Sequence, residues 1–173
     1  EKKAVAALPA DEQAAATAKE TRSRQSDTQQ RIYNDFILPT EKDGKLAAIA
    51  FQNEEKFNFA FDVVDELGRR KPDKLAMLHI ADDMTERRLT FKDLKDASSQ
   101  CANYFKSLGI KRGDRVMLVL KRHYQFWFAI LGLHKLGAIA IPATNQLVEK
   151  DFVYRFQAAD VNAIVCTADG DVS

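Results

Sequence analysis

The feature that most constrains the fold is the unbroken apolar run Val116 to Leu120, which follows the turn Lys111-Arg112-Gly113-Asp114. A strand with one solvated face alternates apolar and polar residues, and this run does not alternate. We therefore expect a strand that is covered on both faces, as in a parallel sheet. The segments after it continue as helix, strand, helix and strand, over residues 124–136, 138–141, 148–159 and 161–167. This order predicts right-handed crossovers and an α/β fold.

Composition limits the class of protein. The chain has 173 residues, of which 46% are hydrophobic and 29% charged, so it fits one globular domain or part of a larger one. Its formal net charge of +1 gives no reason to expect a nucleic-acid partner or an acidic membrane surface. No apolar stretch approaches the roughly 18 residues that a membrane span needs. Cys101 and Cys166 form no disulfide framework, so we expect a reducing compartment and a cytoplasmic protein.

The sequence divides near residue 56. Residues 1–56 are alanine-rich and then polar, and they contain a small apolar cluster between Ile32 and Leu38. They are interpreted as an N-terminal arm or extension, either flexible or serving for docking and oligomerisation, and both alternatives stay open. Residues 57–173 have the regular periodicity of a folded domain.

The segment before the parallel strands predicts a helix, a small hairpin and a second helix. Apolar residues recur at helical spacing from Phe57 to Leu67, and two short apolar runs at 75–80 and 88–91 indicate the hairpin. Thr90 and Asp93 resemble a capping box. The helix that they begin has an expected buried stripe of Leu94, Ala97, Cys101, Phe105 and Leu108. The fold class is therefore α/β, a partial doubly wound parallel sheet with a small N-terminal hairpin and a helical or flexible arm.

Common catalytic motifs are absent from the sequence. It contains neither G-x-x-x-x-G-K-[ST] nor G-x-G-x-x-G, and it lacks the G-x-S-x-G motif of acyl-transfer serines. Cys101 and Cys166 lie too far apart in the sequence for a zinc motif. We therefore predict neither a catalytic residue nor a metal ligand in this chain.

Arg122 and His123 are candidates for binding an anion. They follow the predicted strand 116–120 at the start of a helix, where backbone N–H groups and basic side chains converge. The alternative is a solvated loop without a specific role. His79 and His134 are interpreted as packed or surface histidines, and Trp127 as a core residue of an apolar helix.

Thr144, Asn145 and Gln146 form the second candidate site. They follow the predicted strand 138–141 at its carboxyl end, where open α/β sheets bind their ligands. Their hydroxyl and amide groups are suited to hydrogen bonding with a substrate. Capping of the next helix by Thr144 or Asn145 explains the same residues equally well.

Three segments resemble the opening of the adenylate-forming, AMP-binding acyl-CoA synthetases. They are Arg88-Leu89-Thr90-Phe91-Lys92-Asp93-Leu94, Leu108-Gly109-Ile110-Lys111-Arg112-Gly113-Asp114-Arg115-Val116 and His134-Lys135-Leu136-Gly137-Ala138-Ile139-Ala140-Ile141-Pro142. The segment 121–147 is most similar to the medium-chain or acetyl-CoA-synthetase-like branch. The resemblance covers residues 57–173 and implies the N-terminal part of the large domain, truncated before the phosphate loop.

The resemblance implies an ATP-dependent carboxylic acid–CoA ligase of fatty acid metabolism. A short- or medium-chain acid attacks the α-phosphate of Mg-ATP, and coenzyme A then displaces AMP to give the thioester. The family's phosphate loop, magnesium-binding segment, ribose-binding Asp and C-terminal Lys lie further along the chain. The present residues would thus be inactive scaffold with no bound cofactor, completed by the remainder of their own chain. In the family, the loop at Thr144, Asn145 and Gln146 faces coenzyme A.

A second functional class stays open. A chain with this fold could instead be a non-catalytic binding or oligomerisation module, and a homo-oligomer is compatible with it.

Overall fold

The computed structural model describes residues 35–168, in two compact units that divide between Phe57 and Asn58. The first unit contains strands β1 (Ile37–Lys42) and β2 (Lys45–Phe51) and a 3-10 turn (Glu54–Lys56). The second contains a π-helical segment (Phe59–Asp65), helices α1 (Glu66–Arg70), α2 (Phe91–Ser107), α3 (Gln125–Leu136) and α4 (Glu149–Ala159), and strands β3 (Leu75–Ile80), β4 (Glu86–Thr90), β5 (Arg115–Val119), β6 (Ile139–Pro142) and β7 (Ala163–Cys166).

The first unit contains an antiparallel hairpin that the sequence interpretation missed. β1 pairs with β2 from Ile37 opposite Phe51 to Lys42 opposite Lys45. Asp43 and Gly44 form the turn with φ of 55° and 70°, the left-handed conformation that two-residue hairpin turns require. The expectation of a helical or flexible arm is therefore wrong for residues 37–51. Ile32 and Tyr33 of the apolar cluster lie outside the described residues, whereas Ile37 and Leu38 begin β1.

A π-helical segment replaces the first turns of the helix predicted from Phe57 to Leu67. The side chain of Asn58 caps it by accepting a hydrogen bond of 3.0 Å from the Ala60 N–H. The Asn58 amide also donates to the carbonyl oxygen of His134 at 2.7 Å. This long-range bond fixes the start of the segment against the end of α3.

The small hairpin and the helix after it confirm the sequence predictions. β3 and β4 pair antiparallel with a bulge between Leu75 and Met77. Thr90 and Asp93 form a reciprocal capping box at the start of α2. The buried stripe of α2 is Leu94, Ser98, Ala102 and Phe105, whereas Ala97 and Cys101, which were expected in it, are only partly buried. Leu108 was expected in the stripe but is 62% exposed, because α2 ends at Ser107 and Leu108 turns away from the helix face.

The parallel sheet confirms the α/β prediction. Its strand order is β6–β5–β7, and β5 pairs in parallel with both neighbours. Val116, Met117, Leu118 and Val119 are almost fully buried, as the absence of alternation indicates for a strand covered on both faces. The larger core cluster unites β5 with α2 and α3 through Phe105, Val116, Leu118, Leu120, Ala129, Leu133 and Ala138.

Helices α2 and α3 cross at very small residues. A Cβ added to Gly132 would lie 2.9 Å from the Cβ of Cys101 and 3.0 Å from the backbone nitrogen of Ala102. Glycine at this position therefore allows the two helices to approach closely.

Candidate active-site cleft

Two loops and one hairpin border an open cleft of about 1080 Å³ at the carboxyl edge of the sheet. One wall is strand β3 and the turn after it, the second is the β5–α3 loop, and the third is the loop after β6. The lining residues are Met77, Leu78, His79, Ile80, Ala81, Asp82, Lys121, Arg122, His123, Tyr124, Trp127, Ala143, Thr144, Asn145 and Gln146. The cleft thus lies where parallel α/β sheets bind ligands.

Arg122 and His123 both line this cleft and both are exposed. The loop that carries them turns sharply after β5, since Lys121 has a φ of 44° and the His123 N–H donates to the Leu120 carbonyl at 3.0 Å. Their basic groups are therefore presented at the mouth of the β5–α3 connection.

Thr144, Asn145 and Gln146 lie on the opposite wall of the same cleft. The Ala143 N–H donates to the Leu118 carbonyl at 2.9 Å, which extends the β5–β6 pairing up to this loop. The Thr144 hydroxyl accepts a bond of 3.2 Å from the Gln146 N–H and so holds the turn. The structure brings together the two candidate groups that the sequence placed in separate loops.

The structure does not support the alternative that Thr144 or Asn145 caps the next helix. Helix α4 begins at Glu149, and the Asp151 carboxylate accepts a bond of 3.2 Å from the Val148 N–H. The local hydrogen bond of Thr144 is to the turn residue Gln146 instead. The amide of Asn145 therefore lines the cleft without serving as the α4 cap.

Edge-on contacts among three rings, together with one guanidinium, support the hairpin side of the cleft. The Arg87 guanidinium lies 4.8 Å from the centre of the Tyr124 ring, and the His79 ring meets Tyr124 edge-on at 5.3 Å. The Phe128 ring also meets Tyr124 edge-on, with ring centres 5.6 Å apart. His79 and Arg87 are cross-strand partners, so both reach the same side chain. Sequence reasoning missed this group, because no local pattern links a hairpin to a later helix.

The prediction that Trp127 is a core residue is wrong. It is 51% exposed and lines the cleft, although its neighbours Ala129, Leu131 and Leu133 are buried. Trp127 meets Phe126 at right angles with ring centres 5.4 Å apart. The helix is apolar on nearly every side, and Phe126 and Phe128 pack against the two core clusters, but the side of the same turn that carries Trp127 is left half exposed. Its indole is therefore available to a ligand in the cleft.

The two groups with the clearest burial effects are not in the cleft lining. Burial raises the pKa of the Cys101 thiol, so Cys101 remains a poorly reactive thiol near neutral pH. Burial lowers the pKa of the His134 imidazole and favours its neutral form.

Hydrogen bonds from Thr85 lower the pKa of Asp83 in the hairpin turn. No group of three metal-ligating side chains occurs among residues 35–168.

No helix in the part of the chain that the structure describes is long and apolar enough to cross a membrane.

Residues 64–173 match the family described as AMP-binding enzyme, and the chain belongs to that family. It is 39% identical over 118 residues to the acyl-coenzyme A synthetase ACSM5, mitochondrial, of Rattus norvegicus, covering 64% of this chain and 20% of the relative. It is 37% identical over 117 residues to the human acyl-coenzyme A synthetase ACSM3, mitochondrial, with the same two coverages of 64% and 20%.

Solved structures share the fold. An acyl-CoA synthetase from Brucella canis is 32% identical with a TM-score of 0.53, over 54% of this chain and 17% of that one. The N-terminal subdomain of Klebsiella oxytoca NpsA is 23% identical with a TM-score of 0.56, over 62% of this chain and 27% of that one. The family resemblance and the fold predicted from sequence are therefore confirmed. The chain spans about a fifth of the length of the curated relatives that it matches.

The expectation of a cytoplasmic protein is contradicted, because the curated acyl-CoA synthetases that resemble this chain are named mitochondrial. The expectation was based on two unpaired cysteines and a near-neutral charge. Reduced cysteines indicate a reducing environment but do not distinguish one such compartment from another.

Proposed function

We propose that this chain forms the first part of the large domain of an AMP-forming carboxylic acid–coenzyme A ligase. The observation that carries the proposal is the match to the AMP-binding enzymes over residues 64–173, with relatives that are named acyl-coenzyme A synthetases. The cleft at the carboxyl edge of a parallel sheet supports it, since that edge is where such a reaction would be assembled.

The ligase reaction would proceed in two displacements. The carboxylate oxygen of a short- or medium-chain acid attacks the α-phosphorus of Mg-ATP, and pyrophosphate leaves. The sulfur of coenzyme A then attacks the acyl carbonyl, AMP leaves with the bonding electron pair, and the thiol proton passes to solvent or a base. Both steps depend on charge stabilisation by positioned donors and a metal ion.

The contribution of residues 57–173 would be a scaffold and one wall of the substrate cleft. β5 and its two neighbours hold the loops after β5 and β6 at one edge, and Thr144, Asn145 and Gln146 offer hydroxyl and amide groups there. We assign these three residues to the periphery of coenzyme A. The phosphate loop and the catalytic groups would lie in the remainder of the protein, and residues 1–56 would be an extension to this domain.

The relatives support a mitochondrial site of action for the complete protein. Localisation of a fluorescent fusion of the complete protein, or fractionation of its native cells, would test this assignment.

Release of pyrophosphate and AMP by the complete protein tests the function. With Mg-ATP, coenzyme A and acids of two to twelve carbons as trial substrates, a ligase produces both in equal amounts and forms a thioester. The 173-residue chain alone, at the same concentration, is expected to release neither. A complete protein that folds and binds ligands but turns over none of these acids would support the non-catalytic module instead.

A further inference from the structure

The two outer edges of the first hairpin differ in how well they are protected against pairing. β1 carries Pro39, Glu41 and Lys42, and a proline or a charge on an edge strand discourages pairing with another chain. β2 has neither from Leu46 to Phe51, where every residue is apolar and exposed. An uncharged, exposed edge of this kind is a template for a further strand.

The hairpin register identifies the backbone groups of β2 that face its outer edge. The Gln52 N–H donates to the Phe36 carbonyl at 3.0 Å, which marks a hydrogen-bonded pair. Hydrogen-bonded and non-hydrogen-bonded pairs alternate along an antiparallel ladder, so Ile49 and Phe51 belong to non-hydrogen-bonded pairs. Their N–H and C=O groups therefore point away from β1, towards an edge that no other strand of residues 35–168 covers.

The hairpin also has apolar side chains that its two strands do not cover. Ile49 is 50% exposed and Phe51 is 65% exposed. A two-stranded hairpin that buries so little apolar surface is only marginally stable, and three or more strands are usually needed. Pairing through β2 with a second hairpin would supply four strands and cover part of both side chains.

A second copy of the chain is the partner that the residues of β2 favour. Antiparallel pairing of two β2 strands about a two-fold axis at Ala50 places Ile49 of each copy opposite Phe51 of the other. The outward N–H and C=O groups of these residues then bond to each other. An aromatic side chain opposite a β-branched one is also a favourable cross-strand pair. The same patch serves both copies, as a two-fold interface requires.

The charges at the two ends of β2 favour the antiparallel arrangement. Lys45 is the one charged residue of β2, whereas the turn after the strand, Glu54–Lys56, has a net negative charge. These end residues are exposed. Antiparallel copies bring the basic end of one strand towards the acidic end of the other, whereas parallel copies would bring like charges together.

We propose that the outer edge of β2 is a self-association surface through which two copies of this chain form a four-stranded sheet in the order β1–β2–β2–β1. The proposal is independent of the ligase function, because it uses no residue of the cleft. It assigns the oligomerisation alternative for residues 1–56 to the segment from Leu46 to Phe51. A stable interface buries about 800 Å² on each partner, which the edge of one short strand does not reach, so the dimer is weak, with a Kd on the order of 10–100 µM.

Sedimentation equilibrium and amide hydrogen exchange test the proposal without a substitution. The 173-residue chain is expected to show a monomer–dimer equilibrium between about 1 and 300 µM. Over this range, residue-resolved exchange by NMR is expected to show the Ile49 and Phe51 amides becoming protected. The Ala48 and Ala50 amides, which face β1, are expected to exchange slowly at every concentration.

Three results would overturn the proposal. The first is a monomer at every concentration. The second is a dimer whose Ile49 and Phe51 amides stay unprotected, because the contact would then lie elsewhere. The third is a monomer in which both amides are already protected, because another segment of the same chain would then cover the edge.

Two matched variants separate the β2 edge from a general effect of charge. Ile49→Lys places a charge at the interface and is expected to raise the Kd by about tenfold or more. Ile37→Lys adds the same charge to the same face of the hairpin, but on β1, and is expected to change the Kd by less than about threefold. Equal effects would contradict an interface at β2. Slow exchange of the Ala48 and Ala50 amides confirms that the hairpin persists in each variant, and where it does not, the exchange of the unsubstituted chain decides.

Discussion

Lys135 and Asp65 form a buried ion pair between α3 and the π-helical segment. The Lys135 ammonium lies 2.8 Å from Asp65 Oδ1, and the two side chains are only 5% and 8% exposed. The ammonium also donates to the Lys95 carbonyl at 3.1 Å and to the Ser99 hydroxyl at 2.9 Å. The Asp65 Oδ1 atom has no aligned hydrogen bond, so charge attraction alone compensates for its burial.

Removing one partner of this pair would be costly. We expect Lys135→Met to lower the free energy of unfolding by about 3–5 kcal/mol, because the Asp65 carboxylate is then buried without a counter-charge. Urea denaturation followed by circular dichroism measures the loss. The double variant Asp65→Leu with Lys135→Met is expected to recover most of it. A double variant less stable than Lys135→Met would show that the pair contributes more than mutual neutralisation.

At the level of elements, the capping box at the start of α2 predicts an acid-sensitive helix. The Asp93 carboxylate accepts bonds from the Thr90 N–H and hydroxyl, both at 2.8 Å, and these bonds lower the pKa of Asp93. Further along α2, hydrogen bonds from Lys92 and Lys95 lower the pKa of Asp96 to about 2. A carboxyl whose pKa is lowered in the folded state stabilises it above the unfolded pKa and loses that effect as the pH falls.

Stability is therefore expected to decline as the pH falls from the ordinary carboxyl value of 3.8 towards 2. Asp93→Asn keeps the shape of the cap and is expected to make this decline shallower in thermal melts recorded at several pH values. Thr90→Ala is expected to cost about 1 kcal/mol at neutral pH, as for other lost N-caps. An equally steep acid decline in Asp93→Asn would rule out the cap as its source.

The crossing of α2 and α3 predicts that alanine is too large for position 132. Alanine favours a helix over glycine by up to about 1 kcal/mol, but overpacking typically costs about 1–3 kcal/mol. Since the new Cβ would meet the backbone of Ala102 at 3.0 Å, we expect Gly132→Ala to be destabilising overall. The midpoint of urea unfolding measures this. Gln100→Ala on the exposed side of α2 is the control, with an expected change within about 0.5 kcal/mol. A stabilised Gly132→Ala protein would mean that the helices can separate.

On the scale of the whole molecule, the second unit contains both hydrophobic core clusters. Their buried members run from Ala60 to Ala138, and none belongs to the first unit's described residues. We therefore expect residues 58–173 to fold without residues 1–57. A polypeptide of 58–173 should unfold in one cooperative urea transition monitored by Trp127 fluorescence. A broad, non-cooperative transition would show that the first unit is needed for the second unit to fold. We do not expect this result, because a two-stranded hairpin is itself only marginally stable.

Local sequence patterns predicted most elements of the second unit. The Thr90–Asp93 box, the non-alternating run at β5 and the glycine after α3 each depend on neighbours within a few residues. The helix 57–67 was less well predicted, because its π-helical geometry depends on the contact of Asn58 with α3. The first hairpin was missed although its Asp43-Gly44 turn is a strong local signal, because neither flanking strand alternates: β1 ends in the polar run Thr40-Glu41-Lys42, and β2 is apolar from Leu46 to Phe51.

Apolar spacing, capping residues and turn residues thus specified the kinds of element and their order, since these act over one or two turns of chain. The family was indicated separately, by the resemblance of three sequence segments. Assembly of the cleft was decided by packing between distant segments. His79, Arg122, Trp127 and Thr144 meet only because the hairpin packs beside α3 and the crossover returns β6 to the edge of β5. The exposure of Trp127 has the same origin, because periodicity shows which residues are apolar but only the surrounding elements determine which of them are covered.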